Sequence, residues 1–185
     1  DLITKTSGTV TSTITGDMAS LNQLTSSTNT FNIVVTDSVV KATELAALVG
    51  KTGGTVTLPA TCSISGTLAE VNSVITTPAT VAKINGITTA GVTISDPING
   101  AQAKAIIDLA NIADGPITAT ISSTYRDQVL VDANGVSTDI GLDQITRAGA
   151  YTINYAGDVQ GRTGTTAVES IDALNLATIN ALTTV

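Results

Sequence analysis

Two stretches of this chain, STITGDMASLNQL at residues 12 to 24 and SISGTLAEVNSV at residues 63 to 74, share one order of events: a Thr- and Ser-rich strand, a Gly, then a short helix. Aligning them places Ile14 on Ile64, an offset of 50 residues. Met18, Leu21 and Leu24 recur at every third position, as do Leu68, Val71 and Val74, so each short helix carries one apolar stripe. The echo continues. NIVVTDSVV at 32 to 40 matches GVTISDPIN at 91 to 99, with Val35 on Ile94 at an offset of 59, and both strands run into an Asp. The longer offset is absorbed by an insertion around TPATVAKING, where Pro78 is expected to end one helix before a second short turn begins. Further helices follow in both copies, with Leu45, Leu48 and Val49 answering to Ile106, Leu109 and Ala110. Each then yields to a Gly and a strand, Val56 matching Ile117. The unit so defined is strand, helix, strand, helix in roughly 60 residues.

A third copy starts at PITATISSTYRDQVL and loosens, because VDANGVSTDIGLDQITRAG stands where the simple helix should be. The pattern resumes at AYTINYAGD and closes in AVESIDALNLATINAL, an amphipathic helix over 167 to 182 with Val168, Ile171, Ile179 and Leu182 on one stripe. Residues 1–123 are therefore read as about two α/β repeat units, and residues 124–185 as a divergent third unit or a cap. Strands are predicted at 12 to 15, 32 to 37, 56 to 65, 91 to 95, 117 to 122 and 151 to 155. Strands that alternate with helices of about ten residues imply crossovers and a parallel sheet. The predicted fold class is α/β, with a repeat, solenoid-like architecture of mostly parallel strands and short crossover helices. A unit of this kind cannot bury its apolar faces alone, and each copy supplies the missing wall of the next. The partners expected are neighbouring repeats of a longer chain or further copies of this one, joined end to end through heterologous contacts.

Composition agrees with thin, layered interiors. Aromatic residues make up 2% of the 185 residues, with no Trp, so the core must be built from Val, Ile, Leu and Ala. A net charge of −7 without a basic run argues against nucleic acid as a partner. No apolar stretch is long enough for a membrane span, and the opening DLITKTSG lacks the pattern of a signal peptide.

Chemistry is sparse. With no His in the chain, Ser-His-Asp and Cys-His sets cannot be assembled, and no catalytic residue is assigned. Lys5, Lys41, Lys51, Lys83 and Lys104 sit in helix-flanking or loop contexts that read as solvated, which disfavours a Ser-Lys pair. Cys62, the one cysteine, reads as a small buried hydrophobe. GKTGGT at 50 to 55 contains Gly-Lys-Thr but follows a helix and has Leu45 where a phosphate loop needs Gly. A helix C-cap at Gly50 and a turn at Gly53-Gly54 are expected there. Asp37 and Asp96 are expected to cap the helices that follow them. The candidate metal ligands are Asp132, Asn134, Asp139 and Asp143, an oxygen-rich set suited to calcium. Asp132 and Asn134 match the first two ligand positions of an EF-hand loop, whereas Ser137 replaces its Gly and Asp143 its Glu. An Asn-Gly turn with ordinary Asx hydrogen bonds explains the same residues without a cation. The T-x-T spellings at Thr11 and Thr13, Thr55 and Thr57, and Thr118 and Thr120 would suit rows of hydroxyls on a flat ice-binding face, and strand propensity accounts for them as well.

The combination of VTISD or VVTDS, a helix of the AQAKAIIDL kind, a TATIS or TCSIS strand and a GTLAEV helix resembles the long tandem repeats of giant surface proteins of marine cyanobacteria and related bacteria. Similar repeats occur in some cyanophage structural proteins. The likeness covers residues 10 to 123 and fades after Tyr125. It implies a non-enzymatic, extracellular or cell-surface role, structural and adhesin-like, with a virion fibre, knob or decoration subunit as the alternative. A calcium- or glycan-binding module is the rival from another class.

Overall fold

The computed structural model describes residues 11–25, 30–109, 115–123, 145, 149–155 and 181. The chain is α/β, with parallel strands and short helices, and it divides into two compact units: Asp1–Ser95 with Leu109–Pro116, and Asp96–Asp108 with Ile117–Val185.

In the first unit the chain runs β1 (Thr11–Gly16), α1 (Met18–Leu21), β2 (Thr30–Val35), β3 (Val39–Lys41), α2 (Ala42–Gly50), β4 (Val56–Thr57), β5 (Ser63–Gly66), α3 (Leu68–Ile75), α4 (Pro78–Val81), β6 (Ile84–Asn85) and β7 (Gly91–Ile94). β1, β2, β4 and β6 form one parallel sheet in that order. β3, β5 and β7 form a second parallel row. Each pass, β2 to β3, β4 to β5 and β6 to β7, therefore lays one strand in each row before a helix or turn carries the chain onward. Side chains alternate across a strand, so register decides what stacks on what. Ile33, Val56 and Ile84 line up in one row, and Val40, Ile64 and Val92 in the other. All six are buried, Ile33, Val56 and Ile64 completely. Burying each such side chain contributes about 1.5–3 kcal/mol, which explains how β4 and β6 keep register with only two residues each.

The helices close the same core. α2 buries Ala42, Leu45, Leu48 and Val49, and α3 buries Val71, Val74 and Ile75. Met18 and Leu21 of α1 are buried as the stripe predicts, while Leu24 lies past the helix and is half-buried, as is Leu68 at the start of α3. α3 starts sharply because Thr67 accepts from the Glu70 N–H and the Glu70 carboxylate accepts from the Thr67 N–H, a reciprocal capping box. Pro78 opens α4 rather than interrupting α3, where its missing N–H costs nothing.

Three expectations need correction. The predicted strand over 56 to 65 is two strands, β4 and β5, in different rows, separated by a turn in which Cys62 N–H donates to Pro59 O at 3.0 Å. Ile14 does not sit with Ile64: its partner is Ile33, and Ile64 lies between Val40 and Val92. The sequence alignment sets first-sheet strands on second-row strands, β1 on β5 and β2 on β7, because short β3 and β6 leave too little pattern to register as strands. Gly50 is the last residue of α2 and not its cap; Lys51 holds that place in right-handed helical geometry.

In the second unit, Ile98 pairs in parallel with Ile121, and its N–H donates to Thr120 O at 2.9 Å. α5 (Gly100–Ile107) follows, then β8 (Ile117–Ser123) and β9 (Ala150–Tyr155), parallel with Ile121 opposite Ile153. Ile98, Ala103, Ile106, Ile117, Ala119, Ile121, Ile145 and Tyr151 are buried here. Leu109 of the predicted stripe is half-buried. Ala110, the segment from 124 to 144, and the helix read over 167 to 182 except for helical Ala181 lie outside the described residues.

Candidate interaction surface

The face of the first sheet turned from the core is uncharged and rich in hydroxyls and amides. Thr11, Thr13 and Thr15 of β1 are exposed, and register sets Thr13 beside Asn32, Thr15 beside Val34, Val34 beside Thr57, and Thr57 beside Asn85. Asn32 Oδ1 accepts from both the N–H and the hydroxyl of Thr55, each at 3.3 Å, and Asn85 Nδ2 donates to Thr57 Oγ1 at 3.3 Å. Cross-strand pairs of this sort add a few tenths of a kcal/mol each and fix the register from outside. On the second row Ser63 and Thr93 share a hydrogen bond at 3.0 Å, Ser65 donates to Val40 O, and Val39 stands 58% exposed. T-x-T spellings thus do point outward, but Asn32 and Val34 interrupt the rows between β1 and β4, so no continuous line of threonines forms across this sheet.

The titratable residues singled out from sequence take structural posts. Lys51 and Lys83 are not solvated as expected. Lys51 Nζ donates to Asn22 O, at the end of α1, and Lys83 Nζ donates to Thr52 O at 3.0 Å, just past the end of α2. A cation near the carbonyl end of a helix opposes its dipole; Lys51 reaches past α2 to the end of α1, and Lys83 reaches past α4 and α3 to the residue that follows the C-cap of α2. Lys41 and Lys104 pair along their own helices, with Glu44 at 3.9 Å and Asp108 at 2.6 Å. Cys62 is 1% exposed, and burial, helped by the negative charge of Asp37, pushes its thiol up to about 11, so it stays protonated and unreactive at neutral pH. Asp37 does cap a helix, but an earlier one: its carboxylate accepts from Met18 N–H at 2.6 Å. α2 begins at Lys41 without a side-chain cap, and α5 is capped by Asn99, not Asp96.

GKTGGT holds no phosphate cradle. Thr52 is buried, its hydroxyl donates to Phe31 O and accepts from Gly54 N–H at 2.9 Å. Gly54 passes so close to β2 that a Cβ there would meet Phe31 O at 2.3 Å. The segment clamps the return from α2 onto the sheet. Sequence reading missed Thr52 because its role rests on a long-range partner, and it also passed over T-x-x-E at 67 to 70 and N-x-x-Q at 99 to 102, local patterns that could have signalled the two capping boxes.

Asp132, Asn134, Asp139 and Asp143 lie outside the described residues, as does Lys5. Among the described residues there is no group of three or more His, Cys, Asp or Glu side chains placed to hold a metal ion, and no helix long and apolar enough to cross a membrane. Compared with protein-family models, curated proteins and solved structures, the chain matches none.

Proposed function

We propose that this chain is a non-enzymatic, extracellular structural or adhesive protein with a solenoid-like repeat architecture, working by stacking onto neighbouring copies of its own kind of unit. The observation that supports the reading is the stacking inside the first unit: successive passes lie parallel and in register in both rows, with aliphatic columns inside and mutually bonded Thr, Asn and Ser outside. A pass paired only with its neighbours has the energetics of a one-dimensional array, in which adding units adds stability. Neutral hydroxyls and amides on the outer face suit many weak contacts along a surface better than one tight pocket.

A covalent two-copy fusion tests this against the single chain. Melting and denaturant unfolding should show a higher midpoint for the fusion, and light scattering with electron microscopy should show particles that lengthen in steps of one chain. Two copies that unfold independently at the midpoint of the single chain, together with a strictly monomeric single chain, would overturn the stacking role.

A further inference from the structure

The chain contains three Asn-Gly dipeptides, Asn85–Gly86, Asn99–Gly100 and Asn134–Gly135, and the last lies outside the described residues. The other two share chemistry but not geometry. Asn85 is the exposed last residue of the two-residue strand β6, and its side chain is held by one long hydrogen bond, Nδ2 to Thr57 Oγ1 at 3.3 Å. Gly86 follows at φ +84°, the left-handed conformation that glycine adopts freely, with no Cβ to obstruct its amide nitrogen. Asn99 is locked on both sides. Its Oδ1 accepts from Gln102 N–H at 2.8 Å, its own N–H donates to Gln102 Oε1 at 2.9 Å, and Gly100 is buried as the first residue of α5.

From this contrast we infer that Asn85 is a site of spontaneous backbone modification in the folded protein, converting to aspartate and isoaspartate while Asn99 is spared. The Gly86 amide nitrogen attacks Asn85 Cγ, the new N–Cγ bond forms, the Cγ–Nδ2 bond breaks, and ammonia leaves carrying the proton from the Gly86 nitrogen. Water then opens the cyclic imide at either carbonyl. Opening at Cγ yields aspartate, and opening at the backbone carbonyl yields isoaspartate, which lengthens the main chain by one carbon at the point where Asn85 O accepts from Leu58 N–H. For Asn99 to react it must first release its cap, which slows it by roughly fivefold or more, the factor that an N-cap of ordinary strength is worth.

Both residues fall between Lys83 and Lys104, so tandem mass spectrometry of one tryptic fragment, residues 84–104, reads them together after incubation of the full chain in mildly alkaline buffer. The mass gain of deamidation is expected first at Asn85, with isoaspartate among the products, and Asn85→Gln should remove it. In chain unfolded by denaturant both sites should convert at similar rates, because the local sequence is then all that differs. Conversion at Asn99 as fast as at Asn85 in the folded protein would overturn the assignment. So would an unchanged Asn85 over a time in which the unfolded chain converts.

Discussion

The returns from α2 and from α3 to the first sheet solve one problem in opposite ways. Between α2 and β4 the chain comes back through five residues pressed against β2, with Thr52 bonded to Phe31 O and Gly54 in backbone contact with it. Between α3 and β6 it takes a longer path through α4, and the tie to the preceding pass is one lysine, Lys83, on Thr52 O. Both deliver a valine or isoleucine to the same inward row, Val56 beside Ile84. Register is therefore set by the core row, and the return only has to reach it. The short return needs particular residues at particular atoms, and the long return tolerates length.

Substitution should expose that asymmetry. Gly54→Ala drives a Cβ into backbone that cannot swing aside, and equilibrium denaturation should show a loss of about 3 kcal/mol, the upper end for overpacking. A loss below about 1 kcal/mol would mean that the short return yields as easily as the long one. Thr52→Val keeps the shape and deletes the hydroxyl, leaving Phe31 O and Gly54 N–H without it; a loss of about 1–3 kcal/mol is expected in the same assay. The smallest effect is one of pH. The Cys62 thiol ionises from about 9.0 when unfolded and near 11 when folded, so its contribution is complete below pH 9 and is lost as the pH rises through 11. Denaturation midpoints of Cys62→Ala should fall less steeply than those of the parent between pH 9 and 11, and equal slopes would place the thiol in water.

Much of the first unit was legible. Ile33, Val56, Ile64 and Ile94 are buried strand residues where the Thr-Val-Ile alternation predicts strands, and the stripes of α2 and α3 face the core. What sequence could not deliver was which strand lies next to which. Pro59 divides β4 from β5, yet VTLPATCSI keeps an apolar rhythm across it, so two rows read as one strand. β3 and β6, at three and two residues, fall below the length at which a period of two can be recognised, and their omission let strands of different rows be aligned with one another. On the outer face, Asn32 and Asn85 were invisible as partners because hydrogen bonds across strands depend on register. Lysines looked solvated because a side chain's reach to a carbonyl 29 or 31 residues earlier leaves no local mark.

Those backward-reaching lysines also give the molecule a direction in time. Lys51 has no carbonyl to meet until α1 has ended at Asn22, and Lys83 has none until α2 has delivered Thr52. β2, β4 and β6 likewise each join the first-sheet strand laid down before them. A polypeptide wired this way can add each pass as it leaves the ribosome, because the strand it pairs with on one side is already in place. Within the first unit this ordering limits misassembly, since the surface each new segment meets first is the one laid down just before it.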